Sequence, residues 1–164
     1  MTVPGQAPER TRTGKGGGSA RSARRCAREA ALQGLYQWLV GGQDIASIEG
    51  QFMEADDFAA AEARTDMRHY REVLHGCIEQ ADQLRAGFAP FLDRKVAELS
   101  PVEHGVLLIG AYELTHRAEI PYRVVINEAV ELAKTFGGTD GYKFINGVLD
   151  KVATRTRPGE IKPR

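Results

Sequence analysis

The sequence predicts an all-α protein, and three observations carry that prediction. Apolar residues recur at three- and four-residue spacing in segment after segment, helix start and stop signals bracket those segments, and no short run of alternating polarity bounded by hairpin turns occurs. Seven helices with short connections are expected around one core. At 164 residues, with 42% hydrophobic and 27% charged residues, the chain has the size and composition of one globular domain. That domain is expected over 19–154, with 1–18 a disordered basic Gly/Pro-rich arm and 155–164 a flexible basic tail.

Each helix has its own justification. Ser19, just after the glycines at 16–18, is a candidate N-cap for a first helix running through Trp38 and Leu39 to Gly41 and Gly42. Asp44 caps a second, whose apolar face is Ile45, Ile48 and Phe52, and acidic residues Glu54 to Asp57 make a turn. From about Asp66, the residues Met67, Tyr70, Leu74, Cys77, Ala81 and Leu84 form the strongest amphipathic stripe in the chain, which predicts one long central helix ending at Gly87. Pro90 fits the first turn of a short helix carrying Phe91, Val96 and Leu99. Ser100, Pro101, Val102 and Glu103 read as a capping box opening a helix with Val106, Leu107, Ile109 and Leu114 inside. Pro121 starts the next, with Ile126, Ala129, Val130, Ala133 and Phe136 inward and Gly137–Gly138 as its stop. Thr139 or Asp140 caps the last, with Val148, Leu149 and Val152 inward.

The formal net charge of zero conceals a division along the chain: residues 1–28 carry +6, the body from 29 to 153 about −9, and the last eleven residues are basic again. Such a layout suits a polyanion at the basic end and a basic partner on the acidic body. No apolar run is long enough to span a bilayer and no secretory leader is legible, so a cytoplasmic location is expected without membrane contact. Cys26 and Cys77 are expected to be reduced core thiols.

Arg21, Arg24, Arg25 and Arg28 fall at i, i+3, i+4 and i+7, on one face of the first helix. Tyr36 lies eleven residues beyond Arg25, about 20° round and about 16 Å along, so a ring continues the stripe. Guanidinium groups can track phosphates while a tyrosine stacks on an unpaired base, the chemistry of single-stranded nucleic-acid binding. Asp140, Tyr142, Lys143 and Phe144 add a carboxylate, a cation and two rings beside the exposed amides of a helix start. Glu98 and Glu103 flank a helix break and are candidate contacts for a basic protein partner.

Catalysis finds little in the residue pattern. His69, His75, His104 and His116 are scattered, with no pair at the i, i+4 spacing of a helical metal site. His75 and Cys77 point about 160° apart on a helix, no phosphate-binding glycine loop follows a strand, and so no enzyme, metal or cofactor is expected.

With these residues in place, a resemblance is apparent. Arg24 to Trp38, RRCAREAALQGLYQW, resembles the opening helix of the NusB antitermination family, and Ala111 to Phe136 and Tyr142 to Val152 resemble that family's most recognisable segments. The resemblance covers about 20–158. It implies two packed three-helix bundles plus an extra helix, no catalysis, and binding of boxA single-stranded RNA in nascent transcripts together with NusE, a small-subunit ribosomal protein. That pairing, within the elongation complex and with other Nus factors, promotes transcription of ribosomal RNA operons. By position it places RNA contacts at Arg21, Arg24, Arg25, Arg28, Tyr36, Asp140, Lys143 and Phe144, and the NusE face around Glu98 and Glu103. Two alternatives are an RNA-positioning role beside a ribosomal RNA methyltransferase, for which no nucleotide-binding α/β domain is legible, and a helical homodimer using Trp38, Phe52 and Tyr70 as its interface.

Overall fold

The computed structural model describes residues 16–161, with side chains from 22 onward. Eight α-helices occur among them: α1 Gly16–Gly41, α2 Ile45–Glu54, α3 Phe58–Arg64, α4 Met67–Glu79, α5 Ala81–Phe88, α6 Pro101–His116, α7 Tyr122–Phe136 and α8 Gly141–Thr156. No strand occurs among the described residues. Capping follows the sequence signals: the Asp44 side chain accepts from Ser47 N at 2.8 Å, Asp66 from His69 N at 3.0 Å, and Ser100 from Glu103 N at 3.1 Å. Each satisfies an amide that the first turn leaves unpaired. Gly42, which ends α1, has φ +66°, a left-handed conformation that glycine adopts without steric cost.

The helices form two bundles around α6, in the arrangement the resemblance implied. On one side α1 packs on α4, with α2 and α3 beside them; on the other, α6, α7 and α8 pack on each other, and α5 lies over α6 and α8. Helix α6 is buried from Gly105 through Ala111 without a break. A helix apolar all round belongs in the middle of a structure. Small residues allow the close approach, since a Cβ at Gly110 would lie 2.6 Å from Leu149 Cδ1 and one at Gly76 would strike the Tyr112 ring.

Several elements differ from the sequence expectation. The central helix is two helices, because Gln80 (φ −110°, ψ 18°) breaks the chain so that α4 faces α1 while Ala81 and Leu84 turn toward α6. The apolar stripe continues across the break and hides it. Helix α3 carries only Phe58 and Ala61 inward, so it shows no stripe; it is pinned by the Phe58 ring edge-on to Phe52 at 5.6 Å. The short helix around Pro90 is a strap of two 3-10 turns, Ala89–Phe91 and Val96–Glu98. Phe91, Val96 and Leu99, at spacings of five and three, cannot share one helical stripe. Helix α1 starts three residues before Ser19. Cys77 is buried as expected but Cys26 only half so. Phe136, expected inside, is 45% exposed, because the core of α7 ends at Leu132 and Ala133.

The segment after α8 is also anchored where a flexible tail was expected. Arg157 is 8% exposed and donates to the carbonyls of Leu114 (2.8 Å), Arg117 (2.9 Å), Ile120 (3.0 Å) and Glu113 (3.2 Å). Glu160 pairs with it at 2.7 Å and accepts from Tyr122 N at 2.9 Å. The end of α6 leaves carbonyls without intrahelical partners, and one guanidinium with five donors can serve several of them. Residues 162–164 and residues 1–15 of the arm expected at 1–18 lie outside the described residues, while 16–18 belong to α1.

Three helices meet at a second buried ionic group. Arg28 of α1, 3% exposed, holds Glu113 of α6 through Nε at 2.8 Å and Nη2 at 2.9 Å, and His69 Nε2 of α4 lies 3.1 Å from the same carboxylate. Burial pushes the Glu113 carboxyl up, but the hydrogen bonds and charge of His69 and Arg28 outweigh it and hold the group below its ordinary value. Its charged form therefore contributes stability above about pH 4.5, which is lost as pH falls through the lowered folded value. Replacing Glu113→Gln is expected to cost about 3 to 5 kcal/mol at neutral pH, because Arg28 is left charged and buried. Urea denaturation at pH 7 and across pH 3–5 checks both parts: the variant should also lose part of the wild-type acid sensitivity.

Candidate nucleic-acid interface

The four arginines of α1 do not share one environment. The Arg21 side chain lies outside the described residues. Arg24, with its side chain 39% exposed, has Nε 3.7 Å from Asp66. Arg25, 43% exposed, sets Nε and Nη2 each 3.0 Å from the two carboxylate oxygens of Glu128, whose hydrogen bond and charge raise its pKa further. Arg28 is interior, held by Glu113 and with Nη1 4.0 Å from Glu128. The spacing that aligns these side chains also aims them at acidic residues of α6 and α7 and the cap of α4. Helical phase reveals a shared face, not whether that face is covered.

Tyr36 and Leu35, adjacent on α1, separate as helix geometry requires: Tyr36 is 47% exposed and Leu35 wholly buried. At the start of α8, Asp140 is the N-cap without a side-chain bond to the first-turn amides, and its Oδ1 lies 3.6 Å from Lys143 Nζ. Lys143 is exposed, 5.9 Å from the centre of the Tyr142 ring. Lys134 of α7 lies 5.0 Å from that ring, and Arg94 of the 3-10 strap sits over Phe144 at 4.3 Å. Both distances are in the range of a cation attracted to a ring face. Lys134 and Arg94 carry no motif of their own; they are far from Tyr142 and Phe144 in sequence, or on another helix, and only the packing brings them there.

The first turns of α6 bring these two groups to the same end of the body. A Cβ at Gly105 would meet Leu32 and Leu35 of α1, while one at Gly141, the first residue of α8, would meet Glu103. The exposed ring of Tyr36 and the cation-bearing start of α8 thus lie around one helix N-terminus. Arg24 and Arg25 stand farther along α1, about 16 Å from Tyr36.

The acidic candidates also separate. Glu98 is exposed, whereas Glu103 is half-buried and accepts the Ser100 hydroxyl at 2.9 Å. Next to it, His104 Nε2 accepts from Arg85 at 2.9 Å, and burial together with the Arg85 charge pushes its pKa down to about 4. Arg85 in turn lies over the Trp38 ring at 5.4 Å. Tyr70 is buried, with its ring 4.9 Å from that of the half-buried Phe52, so Tyr70 belongs to the interior of the chain rather than to a subunit interface. Burial raises the Cys77 thiol well above its ordinary value, leaving no activated nucleophile there. Among the described residues no cluster of three His, Cys, Asp or Glu could hold a metal ion, and no helix is long and apolar enough to cross a membrane.

Both the sequence and the fold are similar to those of known proteins. Residues 25–154 match the profile described as the NusB family. The transcription antitermination protein NusB of Bordetella pertussis is 55% identical over 148 residues, covering 88% of this chain and 94% of that protein. The corresponding protein of Ralstonia pickettii is 56% identical over 145 residues, covering 88% and 91%. Among solved structures, T. maritima NusB superposes with a TM-score of 0.69 at 30% identity, over 84% of this chain and 94% of that one. A crystal structure of antitermination factors NusB and NusE in complex with dsRNA has a TM-score of 0.66 at 21% identity, over 80% and 96%, which speaks to the fold. With more than half of its residues shared along nearly nine-tenths of its length, the chain belongs to the NusB family.

Proposed function

We propose that this protein is a cytoplasmic transcription antitermination factor that binds boxA-type single-stranded RNA in nascent transcripts together with NusE and acts with other Nus factors on the elongation complex. The observation that carries the reading is the identity of 55% over 88% of the chain to transcription antitermination proteins. The surface chemistry agrees with it. One end of the body offers the exposed Tyr36 ring, Lys143 beside Asp140, and Phe144 under Arg94, and the basic start of α1 leads toward that end. Rings for unpaired bases and cations for phosphates are what single-stranded recognition needs.

Within the RNA site the roles divide. Arg24 and Arg25, with Arg21 before them, supply charge to the phosphate chain, and Tyr36 supplies a stacking face. Arg28 is left out of the contact set, because its guanidinium is buried and chelated by Glu113. Its work is to hold α1 on α6, which positions the others. For the NusE face, Glu98 is the exposed carboxylate of the two proposed, and Glu103 serves chiefly to cap α6.

The reading is tested by titrating a boxA oligonucleotide and a scrambled control into the protein, with and without NusE. Tighter binding of boxA, strengthened by NusE, is expected; equal affinity for both sequences under both conditions overturns it. Two finer outcomes follow from the geometry. If about four phosphates are neutralised, the slope of log K against log salt should be near −2.8 and Arg24→Gln should flatten it by about 0.7, while Arg28→Met lowers stability and leaves the slope of the folded protein unchanged. Tyr36→Ala should leave the melting temperature nearly unchanged and weaken RNA binding by about 1 to 3 kcal/mol at every salt concentration, since a lost stack releases no counterions. Calorimetry beside fluorescence anisotropy separates the two effects.

A further inference from the structure

A cleft of about 430 Å³ lies between α1, α2 and α3, in a part of the molecule that the RNA reading does not use. Its floor is apolar: Ile48 and Tyr70 are buried, the half-buried Phe52 sets its ring against Tyr70, and Ala61 closes the α3 side. Gln33 and Gln37, one turn apart on α1, and Gln51 on α2 flank that floor. Among the described residues none of these three side-chain amides has a hydrogen-bond partner. An amide offers both donors and an acceptor, which is what the N–H and C=O groups of an extended peptide need.

Helical phase separates this cleft from the other faces of α1. Arg28, Leu32 and Leu35 meet α6 at Glu113 and Gly105, and they lie within about 40° of one direction. Ala30, Gln33, Gly34 and Gln37 centre about 190° from Arg28, so the cleft opens on the side of α1 opposite α6. Arg25 and Tyr36 point about 120° away from it. Charge around the cleft is one-sided, since residues 44–66 hold seven carboxylates against Arg64 alone. Three of the seven are committed: Asp44 and Asp66 cap helices, and Glu49 meets His75 at 2.5 Å. Glu54, Asp56, Asp57 and Glu62 are exposed, and among the described residues their side chains have no hydrogen-bond or ion-pair partner.

We propose that the cleft between α1, α2 and α3 docks an extended basic segment of a partner protein. One apolar side chain of that segment sits on Ile48, Phe52 and Tyr70, its main chain meets the three glutamines, and its lysines or arginines reach Glu54, Asp56, Asp57 and Glu62. Charge selects this occupant. A nucleic-acid strand would be repelled by the four carboxylates, and a symmetric dimer through this patch would set acidic surface against acidic surface. The apolar contact supplies affinity while the charges choose the partner. The proposal stands apart from the RNA reading, and because the two faces occupy different sectors of α1, both can be filled at once.

The test titrates the isotope-labelled full chain, followed by NMR, with a short synthetic peptide that carries one leucine flanked by lysines and arginines. Saturable shifts are expected for amides within 30–37 and 48–64. A peptide with serine in place of the leucine should bind about tenfold more weakly, one apolar side chain lost, and a peptide with glutamates in place of the basic residues should not bind. Asp57→Lys should weaken the basic peptide about 3- to 10-fold at low salt and match the wild type near 1 M salt, where exposed charges are screened. Ala55→Trp, which fills the cleft from its exposed rim, should weaken it more than about tenfold at every salt concentration. Both variants should melt close to the wild type and leave boxA affinity unchanged, because Ala55 and Asp57 are exposed and off the RNA face. Equal affinity for the leucine and serine peptides, no saturable shifts in the cleft, or undiminished binding by Ala55→Trp overturns the proposal. So does a wild-type dimer that Ala55→Trp dissolves, which assigns the cleft to a second copy of the chain.

Discussion

The bond between Arg28 and Glu113 is the constraint on which the rest of the molecule depends. It joins the first helix to the central one, and with His69 on the same carboxylate it fixes three helices at one point in the interior. Such a pair has little tolerance for displacement, because either charge without the other would be stranded away from water. The register of α1 on α6 is therefore set tightly. That register decides that Leu35 is inside and Tyr36 outside, and that Arg25 meets Glu128. The surface proposed for RNA is thus shaped by a contact buried in the interior.

A second consequence concerns economy of charge. Sequence reading treats a cluster of arginines as one electrostatic object, but here the cluster is graded. The arginines nearer the middle of α1 are progressively absorbed by carboxylates of the body: Arg24 loosely by Asp66, Arg25 by Glu128, and Arg28 by Glu113 with Glu128 4.0 Å away. The acidity of the body is partly the counterpart of this internal pairing. Among the described side chains the pairing thus loosens from Arg28 through Arg25 to Arg24, toward the start of the helix.

Most of the architecture was legible because its signals are local. Caps at Asp44, Asp66 and Ser100, proline at the first turn of α6, and the 3.6-residue stripes of α4 and α7 all act within a few residues of themselves. The misreadings share a different cause. Whether Gln80 breaks a helix, whether Phe136 lies above or below the end of the core, and whether Arg28 faces solvent or a carboxylate eighty-five residues away depend on neighbours distant in sequence. The site followed the same rule. The exposed Tyr36 was implied by the phase of α1, whereas Arg94 over Phe144 and Lys134 beside Tyr142 needed the packed bundle to become visible.

The guanidinium of Arg157 has a further implication for how the molecule comes together. It supplies donors to carbonyls at the end of α6 and in the turn before α7, yet stands forty-three residues beyond Leu114 in the chain. During synthesis those carbonyls are made first and wait, hydrated, until α8 has been completed and its last turn has docked. The bend between α6 and α7 is therefore sealed from behind, by the most recently added part of the fold. Closing so long a loop is a non-local step, so this seal follows the packing of α7 and α8 on α6 and locks a bend already made.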